Sequence, residues 1–151
     1  MGPVSLEVGD DWTLSTVVLA GPLPTSGVEA LDDDALPLPA ATFQPNLVVT
    51  MEQVEGDVTP QIYVRQQLEG LRKAQVMRQT SRAPEIVKLA SGRDALLTEQ
   101  ILVGPGGDSI RQLQLVTIKA GVAFTLIASA LDGPSYAQDY DRFRRMLLSF
   151  R

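Results

Sequence analysis

The chain has 151 residues, of which 44% are hydrophobic and 21% charged, a composition typical of one folded domain with a substantial core. Its formal net charge of -5 disfavours nonspecific binding to nucleic acid or anionic lipid, since both require a cationic surface. The sequence contains neither cysteine nor histidine, which excludes disulfides, thiolate catalysis, Cys-ligated zinc and any triad that needs a histidine base. We therefore expect no metal and no other cofactor.

The first predicted elements are two strands, at residues 4–8 and 13–20. No secretory signal is recognisable before them. A long loop follows at about residues 21–45, rich in proline and containing the acidic run Asp32-Asp33-Asp34. Three adjacent carboxylates do not supply the alternating ligands of a calcium loop, so solvated charge is the favoured interpretation. Such a long loop is usually functional or disordered, and we place it inside a single domain spanning residues 1–151.

Residues 46–53 form the next predicted strand, and a helix follows. Thr59 supplies an N-cap, and Pro60 stands at the first helical position, where its missing N–H costs nothing. Apolar residues then recur at helical spacing to about residue 75. They predict a buried face made by Val64, Leu68 and Leu71.

Two short strands are predicted next, at residues 76–80 and 85–89, and a longer one at residues 96–103. The following segment, GPGGDS at residues 104–109, lacks the Gly-Lys-Ser/Thr ending of a phosphate loop and lies between strands. It therefore predicts a hairpin turn.

Residues 110–131, IRQLQLVTIKAGVAFTLIASAL, are the most apolar part of the chain and predict two strands joined at Ala120-Gly121. Arg111, Lys119 and two glutamines within this segment argue against a membrane span. With a two-residue turn, residues whose numbers add up to 241 face each other across the hairpin.

This register divides the hairpin into two faces. The first face carries bulky residues that suit a core under the two predicted helices: Leu113, Leu115, Thr117, Val122, Phe124 and Leu126. The second face mixes branched, small and hydrogen-bonding side chains: Gln112, Gln114, Val116, Ile118, Ala123, Thr125, Ile127 and Ser129.

Two interpretations of the second face stay open. In the first, the N-terminal segments, the long loop or a second subunit covers it, and its polar groups bond locally. In the second, its eight residues bind an apolar partner that also needs hydrogen bonds. Small residues and Gln, Ser or Thr are what transmembrane helices use against each other, so such a face would suit a membrane-like segment.

The last predicted element is a helix with an N-cap at Ser135 and Gln138 three residues on, which together form a capping box. Its apolar stripe consists of Tyr140, Phe143, Leu147 and Phe150. Four arginines near its end favour interaction with the helix dipole over a phosphate site: Arg142, Arg144, Arg145 and Arg151.

The element order predicts an α+β fold, an antiparallel β-sheet flanked by helices. No constellation of titratable residues at motif spacing is recognisable, so we expect no enzyme.

Several segments resemble the DcrB-related proteins of the PsbP-like fold, and within them the Eag chaperones that accompany type VI secretion effectors. The matching segments are residues 6–12, PNLVVTME at 45–52, YVRQQLEGL at 63–71, the hairpin at 110–131 and YDRFRRMLLSF at 140–150. They cover most of the chain, whereas the insertion at residues 21–42 departs from compact members of the family.

The resemblance implies an α/β/α sandwich, often a homodimer, without a shared catalytic motif. Such a protein would bind the hydrophobic N-terminal segment of a secreted toxin effector and keep it soluble for loading. We therefore expect a cytoplasmic chaperone that neither inserts into membranes nor binds nucleic acid. Two alternatives remain, a stand-alone structural or cell-envelope protein of the same fold and a small-ligand binder.

Overall fold

The computed structural model describes residues 5–7, 43, 45–104, 106–134 and 136–151, all within one structural unit. Predictions that fall on the strand at residues 13–20, on the proline-rich loop or on the capping residue Ser135 lie outside the described residues. The helices and strands of the described part are β1 (Asn46–Gln53), α1 (Pro60–Lys73), β2 (Met77–Lys88), β3 (Asp94–Val103), β4 (Ser109–Lys119), β5 (Val122–Leu131) and α2 (Tyr136–Leu148).

The five described strands form one antiparallel sheet in the order β1-β5-β4-β3-β2. The strands that follow one another along the chain from β2 to β5 are neighbours, and β1 lies beside β5. The predicted α+β class, an antiparallel sheet flanked by helices, is confirmed. Neither described helix is long and apolar enough to cross a membrane.

The register predicted for the hairpin is also confirmed. β4 and β5 pair from Ile110 with Leu131 to Lys119 with Val122, so each pair of numbers adds up to 241. The turn residues Ala120 and Gly121 have φ angles of 50° and 75°. Positive φ at both central residues is what a type I′ hairpin turn requires, and this turn matches the natural twist of the strands.

The first face of the sheet is covered by α2. Phe143 and Leu147 of α2 are completely buried, and the Phe150 ring, just beyond the helix, lies 5.5 Å from that of Phe124 on β5. Leu115 and Leu126 are also fully buried. The first face, predicted from its bulky residues, therefore forms a large part of the core. The apolar stripe predicted for the last helix packs against it.

The second face is covered in part by α1. Tyr63, Val64 and Leu68 of α1 form a core cluster with sheet residues of the second face, namely Leu96, Val116 and Ala123. The expectation that both helices cover the first face is wrong, since they lie on opposite faces and make an α/β/α sandwich. The strand order explains this, because β1 and β2 are parallel strands at opposite edges of the described sheet. A helical crossover between parallel strands is nearly always right-handed, which dictates the face that it crosses.

The two short strands predicted before β3 are one continuous strand. β2 pairs with β3 through register shifts between Met77 and Gln79, between Thr80 and Arg82, and between Arg82 and Glu85. Such bulges interrupt the alternation that a strand shows in its sequence, so the pattern reads as two pieces. Pro84 is tolerated because β2 is an edge strand of the described sheet.

Residues 5–7 lie against the last residues of the chain. The strand predicted at residues 4–8 is described only at residues 5–7, where Ser5 exchanges backbone hydrogen bonds with Arg151. The turn predicted at residues 104–109 is confirmed between β3 and β4, closed by the Gly104 N–H donating to the Asp108 carbonyl at 2.7 Å.

Replacing Phe143 tests the packing of α2. We expect Phe143→Ala to lower the free energy of unfolding by about 3–5 kcal/mol, because it leaves a cavity between α2 and the first face. Asp141→Ala on the exposed side of the same helix should change it by less than about 0.5 kcal/mol. Urea denaturation checks both, and similar losses in the two variants would contradict this packing.

Candidate functional site

The eight residues predicted to bind a partner share one face, as their register requires, but most of them are buried. Five are at most 4% exposed: Gln114, Val116, Ala123, Thr125 and Ser129. The other three are partly exposed: Gln112, Ile118 and Ile127. Neither interpretation of the second face named α1 as a cover. Partner binding by these residues stays a prediction, and only the three partly exposed side chains have surface that a partner could contact.

Polar contacts join α1 to the second face. The Gln114 side-chain amide donates to Gln67 Oε1 at 2.6 Å, and the Tyr63 hydroxyl donates to Glu52 Oε2 at 2.6 Å. Burial and the Glu52 carboxylate raise the pKa of Tyr63 above its ordinary value. The Tyr63 phenol therefore stays protonated at neutral pH and links α1 to β1.

A row of hydrogen-bonding side chains crosses the second face beside α1. Gln100 Nε2 donates to Gln114 Oε1 at 2.9 Å, and Gln112 Nε2 donates to Ser129 Oγ at 3.1 Å. Gln100 Nε2 also lies 3.5 Å from Gln112 Oε1, which connects the two pairs into one row. These polar groups therefore find local partners, as buried polar groups normally do. The sequence did not single out Gln100 or Gln67, since which β3 and α1 side chains lie beside the hairpin depends on strand order.

Thr125 is the exception. Its side-chain oxygen is buried and has no hydrogen-bond partner in the described part of the chain. The nearby Tyr63 hydroxyl donates its hydrogen to Glu52. A buried hydroxyl without a partner destabilises the fold, because it has lost its hydrogen bonds to water.

Beside the row, the second face presents partly exposed residues that we call the second-face strip: Val48, Gln112, Ile127 and Leu131. Val48 of β1 pairs with Ile127 of β5 and is 46% exposed. Leu131 is also an exposed apolar side chain. The strip thus places apolar side chains next to the amide of Gln112, at the surface and clear of the α1 core cluster.

The first face contains a charged cluster that sequence reasoning missed. Glu99 of β3 is only 1% exposed, and its carboxylate accepts from Arg111 Nη1 at 3.3 Å and from the Tyr136 hydroxyl at 3.2 Å. Arg111 also binds Asp132 at 2.7 Å. A buried carboxylate needs such partners, since an unpaired one would be strongly destabilising. In the sequence, Glu99 is one polar residue in a strand, and no spacing links it to Arg111 or Tyr136.

An open cleft of about 370 Å³ lies over this cluster. Two guanidinium groups stack on two tyrosine rings there, Arg82 at 4.3 Å from the centre of the Tyr140 ring and Arg111 at 4.9 Å from that of Tyr136. The residues that line the cleft are Arg82, Arg111, Gly133, Pro134, Tyr136, Ala137 and Tyr140. The cleft therefore combines an aromatic wall with cationic side chains.

Other charged groups take part in structural contacts. Arg144 of α2 binds Glu85 at 2.9 Å, and Arg151 binds Glu7 at 3.3 Å, which agrees with a structural role for the basic helix end. Among the residues described by the structure, no group of three or more metal-binding side chains is brought together.

Comparison with known proteins gives the fold. No protein family and no curated protein matches the sequence. LpqN, involved in cell envelope biogenesis of Mycobacterium tuberculosis, matches with a TM-score of 0.58 and 20% identity over 97% of this chain and 81% of LpqN. PA94, a protein of unknown function from Pseudomonas aeruginosa, matches with a TM-score of 0.57 and 16% identity over 74% of this chain and 76% of its own. At these identities the similarity establishes a related fold.

The Thr125 hydroxyl provides a test of the second face. We expect Thr125→Val to raise the free energy of unfolding by about 1 kcal/mol, because it removes an unpaired buried hydroxyl at nearly constant volume. Thr117→Val is the matched control, since the Thr117 hydroxyl donates to the Asp94 carbonyl at 3.0 Å and its removal should cost about 1 kcal/mol. Equal losses in both variants would show that Thr125 has a partner.

The Glu99 cluster predicts a dependence of stability on pH. Burial, followed by the charge and hydrogen bond of Glu99, raises the pKa of Tyr136. The pKa of a tyrosine in the unfolded chain is about 10. Because the folded-state pKa of Tyr136 is higher, its hydroxyl contributes fully to the free energy of unfolding below about pH 10, and this contribution declines as the pH rises above about 10. We therefore expect Tyr136→Phe to be less stable than the wild type at pH 8, and the difference to shrink by pH 11. Urea denaturation at both pH values measures the difference, and a constant one would contradict the shift.

Proposed function

We propose that this protein is a non-catalytic chaperone or adaptor for a hydrophobic, transmembrane-like N-terminal segment of a secreted toxin effector. It would shield that segment from water until the effector is loaded onto a type VI-like secretion apparatus. The observation that carries the proposal is the second-face strip, where exposed apolar side chains stand beside an amide that can bond to a partner. The resemblance to DcrB-related proteins and Eag chaperones supports the same role.

The chemistry of the strip fits such a segment. Val48, Ile127 and Leu131 offer apolar surface, and burying apolar surface contributes about 25 cal/mol per Å². Gln112 donates to Ser129 and lies 3.5 Å from Gln100, which leaves part of the capacity of its side-chain amide unused. A client helix with small and hydroxyl-bearing residues would approach closely and use that capacity.

The client would bind beside α1 and leave it in place. Displacing α1 would expose Val64 and Leu68, and fully exposing such a side chain costs about 1.5–3 kcal/mol. It would also break the 2.6 Å hydrogen bonds of Tyr63 and Gln67. A client on the strip has neither cost.

The setting of this activity is part of the proposal. The resemblance supports a homodimer in the cytoplasm, and the net charge of -5 supports a protein partner in preference to nucleic acid or an anionic membrane surface.

A second candidate is a cell-envelope protein of the same fold, with the strip as an internal contact surface. The similarity to LpqN favours it, because LpqN takes part in cell envelope biogenesis. Fractionation of the native host separates the candidates, since a chaperone of this kind is recovered with the cytoplasm and an envelope protein with the periplasm or membrane.

Substitutions on the two sides of β1 test the proposal. Val48 lies on the second face, whereas Met51, on the same strand and 65% exposed, lies on the first. We expect Val48→Asp to weaken binding of the effector segment by at least about tenfold, or about 1.4 kcal/mol, and so to lower the amount of soluble effector co-expressed from the neighbouring gene. A charge at this position would be buried against the apolar client.

Two controls keep this experiment specific. Met51→Asp tests the other face of the same strand, and Ile86→Asp tests the second face at the opposite edge of the described sheet. Both should preserve effector solubility. An effector that is equally soluble without this protein, or with Val48→Asp, would refute the proposal.

A further inference from the structure

The cleft over the Glu99 cluster is separate from the surface proposed to bind the client. It lies on the first face, between β2, β4 and the start of α2, on the opposite side of the sheet from the second-face strip. We propose that it binds a small amphipathic carboxylic acid, with Arg82 holding the carboxylate and the tyrosine wall holding the apolar body. This inference is independent of the chaperone role.

The size and lining of the cleft suit such a ligand. Its volume of about 370 Å³ falls at the lower end of the range for small-molecule sites. Pro134, Ala137 and the rings of Tyr136 and Tyr140 provide most of the non-cationic lining. A compact aromatic or branched aliphatic group is the body that these side chains would contact.

Arg82 is positioned to take the carboxylate. Register shifts lie on both sides of it in β2, and bulges of this kind re-aim a side chain at a site. Its guanidinium is held 4.3 Å over the Tyr140 ring, although its side chain is 59% exposed. Its only described ion pair is at 3.7 Å, from Nε to Glu99, and it donates no hydrogen bond within the described part of the chain. Its forked donors therefore remain for a ligand, and the fork matches a carboxylate.

The charges around Arg82 define the ligand class. Arg111 is engaged by two carboxylates, Glu99 and Asp132, so its charge is largely compensated. Arg82 shares only the more distant contact with Glu99. A cationic ligand is disfavoured, because guanidinium groups already occupy a face of each tyrosine ring, where a cation would bind. A neutral ligand would leave the donors of Arg82 unused.

Titration with a model acid tests this site. We would add 3-phenylpropionate to the ¹⁵N-labelled full chain and follow backbone amide shifts, with 3-phenylpropionamide as the uncharged probe. We expect saturable shifts at Gly133, Tyr136 and Ala137 with the acid, and at least about tenfold weaker binding of the amide. Arg82→Gln should weaken binding of the acid by at least about tenfold, and Arg65→Gln, an exposed α1 substitution, should leave it unchanged.

Each other outcome contradicts the inference. Shifts scattered over the surface would indicate nonspecific contact, and equal binding of acid and amide would remove the role of the carboxylate. Unchanged binding of the acid by Arg82→Gln would show that Arg82 does not hold the carboxylate. Because Arg82 is largely exposed, this variant should keep the wild-type fold, which its own amide spectrum verifies. Loss of effector binding in Val48→Asp leaves this test unaffected, so the two proposals fail separately.

Discussion

The Ala120-Gly121 turn decides on which side of the sheet each residue of β4 and β5 lies. The positive φ angles of these two residues, 50° and 75°, close the hairpin with a two-residue loop and allow a single register. Since side chains alternate along a strand, this register directs Leu115 and Leu126 toward α2, and it directs Val116 toward α1. A slip of one residue would bring the glutamines beneath α2 and leave the large aliphatic residues on the polar face.

The crossover from β1 to β2 imposes the second constraint. These strands are at opposite edges of the described sheet, so the connection that contains α1 passes over the second face and covers part of it. Its contacts there are partly polar, through Tyr63 to Glu52 and through Gln67 to Gln114, whereas α2 buries complete aromatic side chains. The chaperone proposal rests on the part of the second face, with Val48 and Ile127, that α1 leaves uncovered. The two faces thus offer different chemistry, an apolar strip on one and a cationic cleft on the other.

Local pattern predicted much of this fold. The two-residue turn and the alternation of apolar residues gave the hairpin register and both faces, and the apolar stripes gave both helices. The side on which α1 packs did not follow, because it depends on the order of strands that are distant in sequence. The Glu99 cluster could not be predicted from the sequence for a related reason. Glu99, Arg111 and Tyr136 belong to three separate elements, and only the fold brings them together. The bulges on either side of Arg82 also interrupt the alternation of apolar and polar residues, so the sequence pattern did not predict β2 as one strand.

The arrangement of α1 over the glutamine row, with a client beside it, is tested most directly by nuclear Overhauser effects between the Gln114 side-chain amide protons and the γ-methylene protons of Gln67. These two side chains are joined by a 2.6 Å hydrogen bond. We expect the same cross-peaks in the free protein and in its complex with the effector segment, because the client leaves α1 in place. Cross-peaks that vanish in the complex would show that the client displaces α1, and their absence from the free protein would contradict the fold of the second face.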